Sequence, residues 1–361
     1  MNAEAPTLSK SAAGEWPVVG HGAAVGILRR ALTGRLAHAY LLIGPPQSGK
    51  ATLARLFAQA LFCTGDPAAL GEEGRQPDVP CGRCRNCTRI ARGVYPDVDW
   101  YSLARQAAEP EQQGKVNKDL SIGTIRALQS GLSLRPYEGE WRVAVLEDAD
   151  AMSLPAANAL LKTLEEPPPY AVLLLLAADP STLPTTIPSR SQIVTLRPLG
   201  REVIAAALRE RGTAPARAEL LAALSGGRFG WAAEAAAHPE RLASRDEQLD
   251  SLAALPAADL PARFAWAADL AAGFSQNRPV VFDALTQLAI WWRDLLVVRV
   301  GAPSLVQNTD RLPALEKAAG RLSPQQIGSF LAAVTAAQEQ LSQNVSPRLV
   351  LESLMLAMPG S

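Results

Sequence analysis

The chain has 361 residues, more than one hydrophobic core ordinarily fills, so its length predicts two or three domains. Apolar residues make up 48% and charged residues 19%, with 35 Lys+Arg against 35 Asp+Glu; no global field steers it to nucleic acid or an anionic membrane, and only a local basic patch remains open. The N-terminus, MNAEAPTLSKSAAGEWP, lacks an apolar core of signal-peptide length, and the longest apolar run, Tyr170 to Ala178, falls far short of the ~20 residues that span a bilayer, so a cytoplasmic protein is expected.

Arg29, Arg30 and Arg35 form a small basic cluster near the start. HAYLLIGPP, His38 to Pro46, then sets an apolar strand directly before a glycine-rich loop, and KATLARLFAQALFC follows with Leu53, Phe57 and Leu61 on one helical face. Strand, glycine loop and helix are the context of a P-loop, whose helix N-terminal amides face phosphate. The pattern G-x-x-x-x-G-K-[S/T] is met at Gly44, Gly49 and Lys50, but Ala51 stands where a magnesium-binding hydroxyl belongs. Thr52 is a poor substitute, because one residue along a helix turns a side chain by about 100°.

All four cysteines fall between Cys63 and Cys87, and Cys81, Cys84 and Cys87 lie in two overlapping C-x-x-C steps. Thiolates bunched this way suit tetrahedral zinc, with four sulfur ligands leaving no open position, so the metal would be structural. Disulfides are the competing reading, which the missing secretion signal disfavours, and spacing alone leaves a redox role open. The zinc would pin an insertion at about 63–90, with Pro77, Pro80 and the glycines at 65, 71, 74 and 82 in its loops.

WRVAVLEDAD, Trp141 to Asp150, predicts a second buried strand ending in acids, and YAVLLLLAADP a third. Between them SLPAANALLKTLEEPPP predicts a helix stopped by Pro167 to Pro169, with Lys162, Glu165 and Glu166 on its exposed face. Strands alternating with helices argue for a parallel α/β sheet with its site at the strand C-termini. After Gly200 the chain turns alanine-rich and helical, broken at Gly212 and at Gly226-Gly227, and a linker-like LPAADLP leads to a last helical block. There Leu285, Leu288, Trp292 and Leu295 share one helical face, and the Trp291-Trp292 pair reads as packing.

Taken in order, VVGHGAAVGILRRALTGRLAHAYLLIGPPQSGK, the cysteine insertion, IRALQSGLSLRPYEGEWRV, NALLKTLEEPP, LPTTIPSRS and NVSPRLVLESLML resemble the bacterial clamp-loader AAA+ family over nearly the whole chain. That family includes the gamma/tau ATPase and the delta-prime subunit of the DNA polymerase III holoenzyme. The resemblance implies an AAA+ α/β domain over 1–197, a helical lid over 198–254 and an all-α oligomerising collar over 255–361.

Register against the family implies that its magnesium-binding aspartate falls on Glu147 and its water-orienting glutamate on Asp148, an inverted order. A carboxylate moved by one methylene shifts its oxygens by over ~1 Å, which can cost roughly 100-fold. The polar residue expected at the end of the following strand is replaced by Ala177 and Ala178, and the lid arginine falls near Arg228, with Phe229 in register. Phosphate binding by Gly44, Gly49 and Lys50 would thus persist, with ATP or ADP and Mg2+ as possible ligands, but hydrolysis would not be efficient.

PSRS resembles the family's Ser-Arg-Cys motif, which implies that Arg190 acts in trans as an arginine finger on a neighbour's ATP site. The implied function is delta-prime-like support of ATP-dependent loading of the sliding clamp onto primed DNA, with gamma/tau and delta subunits as ring partners. Two alternatives stay open: an active gamma/tau-type ATPase, which Lys50 keeps in play, and a nucleotide-sensing scaffold whose Arg190 reaches no neighbour.

Overall fold

Five parallel strands form the sheet, three of them aliphatic and β-branched runs: β1 (Ala39–Ile43), β2 (Val98–Tyr101), β3 (Arg142–Leu146), β4 (Ala171–Ala177) and β5 (Gln192–Thr195), with β1, β3 and β4 the apolar ones. Their order is β2-β3-β4-β1-β5 in this computed structural model, which describes residues 15–65, 78–109, 119–274, 277–343 and 345–360. Residues Gly71, Gly74 and Pro77, expected in the cysteine insertion, lie outside the described residues.

β1, β3 and β4 are buried along their whole length, as strands covered on both faces must be. The period-2 alternation sorts β1 between two cores. Tyr40 and Leu42 face one with α1 (Gly22–Thr33) and α2 (Lys50–Phe62), whereas Ala39, Leu41 and Ile43 face the other. α3 (Arg85–Ala91) and α4 (Leu103–Ala108) flank β2, and α5 (Ile122–Ser133), α6 (Leu154–Glu165) and α7 (Thr186–Ser189) complete the second layer. The expected α/β sheet is therefore present.

Sequence and structure differ in detail here. β2 and β5 have no counterpart among the expected strands, because both are four-residue edge strands with mixed polarity. The second expected strand stops at Leu146 rather than running to Asp150, since Asp148 adopts φ 55° and a 3-10 turn covers Ala149–Ala151. A left-handed residue cannot continue a strand.

Two compact units result, one reaching Ala207 and including Gly227–Gly230, the other holding Leu208–Gly226 and everything from Trp231. α8 (Arg201–Glu210) and α10 (Phe229–Ala237) contribute residues to both, and α9 (Pro215–Leu224) belongs to the second. Among the described residues of that unit every regular element is helical, and the chain continues through α11 (Glu240–Ala254), α12 (Leu260–Gly273), α13 (Arg278–Arg299), α14 (Leu312–Ala319), α15 (Pro324–Ser342) and α16 (Pro347–Ala357).

The expected face of α13 is buried: Leu285, Leu288, Trp292 and Leu295 all lie in the core, and the Trp292 ring sits 4.3 Å from that of Phe330. Trp291 is buried too, as packing predicts. LPAADLP is less of a linker than its composition suggests, because Leu255 belongs to the core and Arg263 donates to the carbonyls of Leu255, Pro256 and Met358. One guanidinium thereby ties the start of α12 to the residue after α16.

In the first unit, Asp97 is fully buried and its carboxylate accepts from the main-chain N–H groups of Tyr137, Glu138 and Gly139 at 2.6, 2.8 and 3.0 Å. Arg142 lies 3.3 Å away and also holds Asp99 at 2.8 Å. Removing the Asp97 carboxylate strands three donors and a largely buried guanidinium. Asp97→Ala should therefore lower the stability of this unit by about 3 kcal/mol in a urea titration followed by tryptophan fluorescence.

Candidate functional site

The C-terminal ends of β1, β3 and β4 supply the candidate site. Gly44 follows β1, and its N–H donates to the Ala177 carbonyl at 3.2 Å. A Cβ at this position would meet the Leu196 carbonyl oxygen at 2.5 Å, so only glycine fits between the flanking strands. The loop then turns through Gln47 at φ 60° and Gly49 at φ 100°, and α2 begins at Lys50. Ala51 and Thr52 lie half-buried in its first turn.

Three groups hold the loop by its carbonyls. Lys50 Nζ donates to Gly44 O at 2.5 Å and Pro45 O at 3.0 Å. His21 Nε2 bonds Ser48 O at 2.9 Å, which makes it the protonated nitrogen; burial holds the imidazole below its ordinary pKa and hence neutral at pH 7. Gly230 N donates to Gln47 O at 3.0 Å, and a Cβ on Gly230 would meet that same oxygen at 2.7 Å. The SGGRFGW segment, where the family resemblance implies a lid arginine, therefore touches the glycine loop through Gly230, with Phe229 opening α10.

The acids after β3 divide their roles. Glu147 is half-buried, and its N–H bonds the Tyr101 carbonyl at 2.8 Å. Asp148 accepts from Leu103 N at 3.3 Å, and Asp150 accepts from Ala178 N at 2.8 Å. Ala177 and Ala178 carry no polar side chain, and the Ala178 amide is taken by Asp150. Burial pulls the Lys50 ammonium below its ordinary pKa, opposed first by Asp150 and then by Asp148. Asp150, His21 and Gly230 are thus site residues that sequence reasoning missed. The third acid of EDAD and the glycines around His21 were the only signals available.

Arg190 follows α7, and its guanidinium meets Glu165 Oε1 at 3.0 Å and Thr186 O at 3.4 Å. The pair is well exposed, 37% and 52%, so it is a weak and exchangeable ion pair. Arg29, of the basic cluster, is bound to Asp78 at 2.5 Å.

The four cysteine sulfurs lie within 4.8 Å of one another and carry no disulfide. Ligands of a tetrahedral Zn–S site of about 2.3 Å stand about 3.8 Å apart, so the cluster could hold a metal ion after slight contraction. Main-chain N–H groups of Gly65 and Cys81 point at Cys63 Sγ, that of Cys84 at Cys81 Sγ, and that of Cys87 at Cys84 Sγ, all at 3.3–3.4 Å. Such donors stabilise thiolate charge. A hydrogen bond from Cys87 is the main influence that draws the Cys63 thiol down to about 5, while Cys87 itself is pushed up.

A family model described as DNA polymerase III, delta subunit, matches residues 21–200, and one described as DNA polymerase III, delta subunit, C terminal, matches 239–359. The chain is 29% identical to DNA polymerase III subunit delta' of Bacillus subtilis over 322 residues, covering 89% of this chain and 91% of that one. It is 41% identical to subunit delta' of Pseudomonas aeruginosa over 154 residues, 43% of this chain and 41% of that one. To subunit tau/gamma of Haemophilus influenzae it is 35% identical over 156 residues, 43% of this chain and 20% of that one.

The environment of Glu147 has a pH signature. Burial lifts its carboxyl above the ordinary value, the Asp148 charge adds to the lift, and Arg55 opposes it. The folded chain then holds this proton more tightly than the unfolded chain, so ionising Glu147 costs stability as pH rises above about 4. Glu147→Gln should raise the denaturation midpoint at pH 7, and the gain should vanish when the pH falls below about 4.

Proposed function

The chain belongs to the delta-prime group of the bacterial DNA polymerase III clamp-loader family, and from that membership we propose that it is a subunit that does not itself turn over ATP efficiently. It supports ATP-dependent loading of the sliding clamp onto primed DNA beside gamma/tau and delta subunits, and donates Arg190 to a neighbour's ATP site. The observation that carries this reading is a phosphate loop kept without its hydrolytic partners. Gly44, Gly49 and Lys50 retain the loop shape, whereas Ala51 offers no hydroxyl and Ala178 offers only an amide that Asp150 already uses.

In this reading the main-chain amides at the start of α2 and the Lys50 ammonium would receive the phosphates of ATP or ADP. A nucleotide-bound magnesium would have Glu147, Asp148 and Asp150 as the nearby carboxylates, in an order that departs from the family's. Leaving Glu165 costs Arg190 little, because an exposed ion pair contributes only about 0.2–1 kcal/mol. A gamma-phosphate in a closed interface is the stronger partner for its guanidinium, so the arginine would stabilise transition-state charge there.

The test is ATP turnover by the assembled complex, reconstituted with this chain as Lys50→Ala or as Arg190→Ala. Lys50→Ala should leave turnover near the wild-type rate, whereas Arg190→Ala should slow the site it serves by roughly 1,000-fold. A matching loss in Lys50→Ala would instead make this chain a working ATPase. An unaffected Arg190→Ala would leave it a scaffold.

Cys63, Cys81, Cys84 and Cys87 would hold a structural zinc, which supplies cross-linking of the insertion and no open coordination position. Elemental analysis of the purified chain should give one zinc per molecule, lost in Cys84→Ser. Chelation should lower the melting temperature of the first unit by several degrees.

A further inference from the structure

A cavity of about 470 Å³ opens beside the sheet's outer strand, β2, between α3 with its following turn and the start of α4. Arg55, Arg92 and Arg105 line it together with Trp100, Ile90 and Val98. Several other arginines of the same unit are matched to acids: Arg29 to Asp78, Arg89 to Glu138, and Arg142 to Asp97 and Asp99. None of the three cavity arginines forms an ion pair with a carboxylate among the described residues. The one acid on the wall, Asp99, is held by Arg142 at 2.8 Å. Glu147 faces Arg55 electrostatically without pairing to it. In a chain of zero formal net charge, three unpaired guanidinium groups around one hollow repel each other and leave a local positive field.

Two of them are fixed as flat surfaces. The Arg55 guanidinium lies over the Trp100 ring at 5.1 Å, and that of Arg105 over the Tyr101 ring at 5.3 Å, with Arg105 also donating to the Trp100 carbonyl. Guanidinium planes backed by aromatic rings offer N–H edges to phosphate and faces to a nucleobase. Arg92, exposed at the C-cap of α3, supplies a further point charge, and the apolar wall of Ile90 and Val98 gives a base a dry side. An acidic peptide would satisfy the charges but would leave the stacked faces unused.

We propose that this cavity is a binding site for the sugar-phosphate backbone and one base of single-stranded DNA. It is a contact made by this chain itself, distinct from the phosphate loop and independent of Arg190. Single-stranded nucleic acid alternates anionic phosphate with flat apolar bases, and the cavity alternates cationic edges with flat or apolar walls in the same way.

The test uses the purified full chain and a fluorescein-labelled oligo(dT), with anisotropy read over a series of low salt concentrations. Binding should weaken with salt by about 0.7 in log K per log salt for each phosphate neutralised. Arg92→Glu should weaken it roughly tenfold and reduce the salt slope by about 0.7. Arg105→Gln should act in the same direction. Arg348→Glu, at a 73% exposed position in the other unit, should change neither. The proposal is overturned if oligo(dT) does not bind at low salt, or if both cavity variants bind with wild-type affinity and slope. It is also overturned if poly-glutamate displaces the oligonucleotide at equal charge concentration, which would assign the cavity to acidic peptides.

Discussion

The passage of β1 between β4 and β5 is the constraint on which the first unit depends. Ile43 still accepts from Leu196 N at 2.7 Å, and one residue later Gly44 still donates to Ala177 O. The chain thus leaves the sheet while bonded on both sides, in a space where a Cβ would strike the Leu196 carbonyl. Having no side chain at that point lets the loop turn tightly enough to deliver Gly49 and Lys50 to the start of α2. The acids after β3 and the alanines after β4 come to the same end of the sheet because the strands are parallel.

Beyond Gly44 the loop is largely satisfied by its own chain. A trans peptide is planar, so pinning a carbonyl also sets the direction of the N–H across the same bond. The imidazole of His21 on Ser48 O therefore orients the Gly49 amide, and Gly230 on Gln47 O orients the Ser48 amide, which bonds Pro45 O at 3.2 Å. This is preorganisation without a ligand, and it ties the loop to the Gly227–Gly230 segment. It also explains why Gly230 must be glycine: a side chain would push into the carbonyl that its own amide needs.

Much of this was legible in the sequence, and the part that was not has a common cause. Buried strands β1, β3 and β4 announce themselves as apolar runs, the cysteine spacing foretold sulfurs within 4.8 Å, and the stripe on α13 marked its buried face. Edge strands β2 and β5 carry no such signal, because only one residue of each, Val98 and Val194, is buried. Asp97 reads as one more acid in YPDVDW, yet it holds three amides some forty residues away. Asp150, His21 and Gly230 were invisible for the same reason. Their roles consist of single bonds to backbone atoms distant in sequence, and such bonds leave no periodicity.

The lysine gives the loop its remaining character. Lys50 holds the carbonyls of Gly44 and Pro45, and the nitrogens on the other side of those two peptide bonds belong to Pro45 and Pro46. Proline has no N–H, so this stretch presents acceptors without the donors that would normally accompany them. The ammonium neutralises that excess, and its burial would be costly without it. A phosphate entering the loop has to draw Lys50 from the oxygens of Gly44 and Pro45, the second of which also keeps the Ser48 N–H as a donor. Any phosphate affinity of this loop is thus the difference between two interactions rather than the full strength of one. Such competition would act on affinity alone, because the shape of the loop is set by Gly44, Gln47 and Gly49.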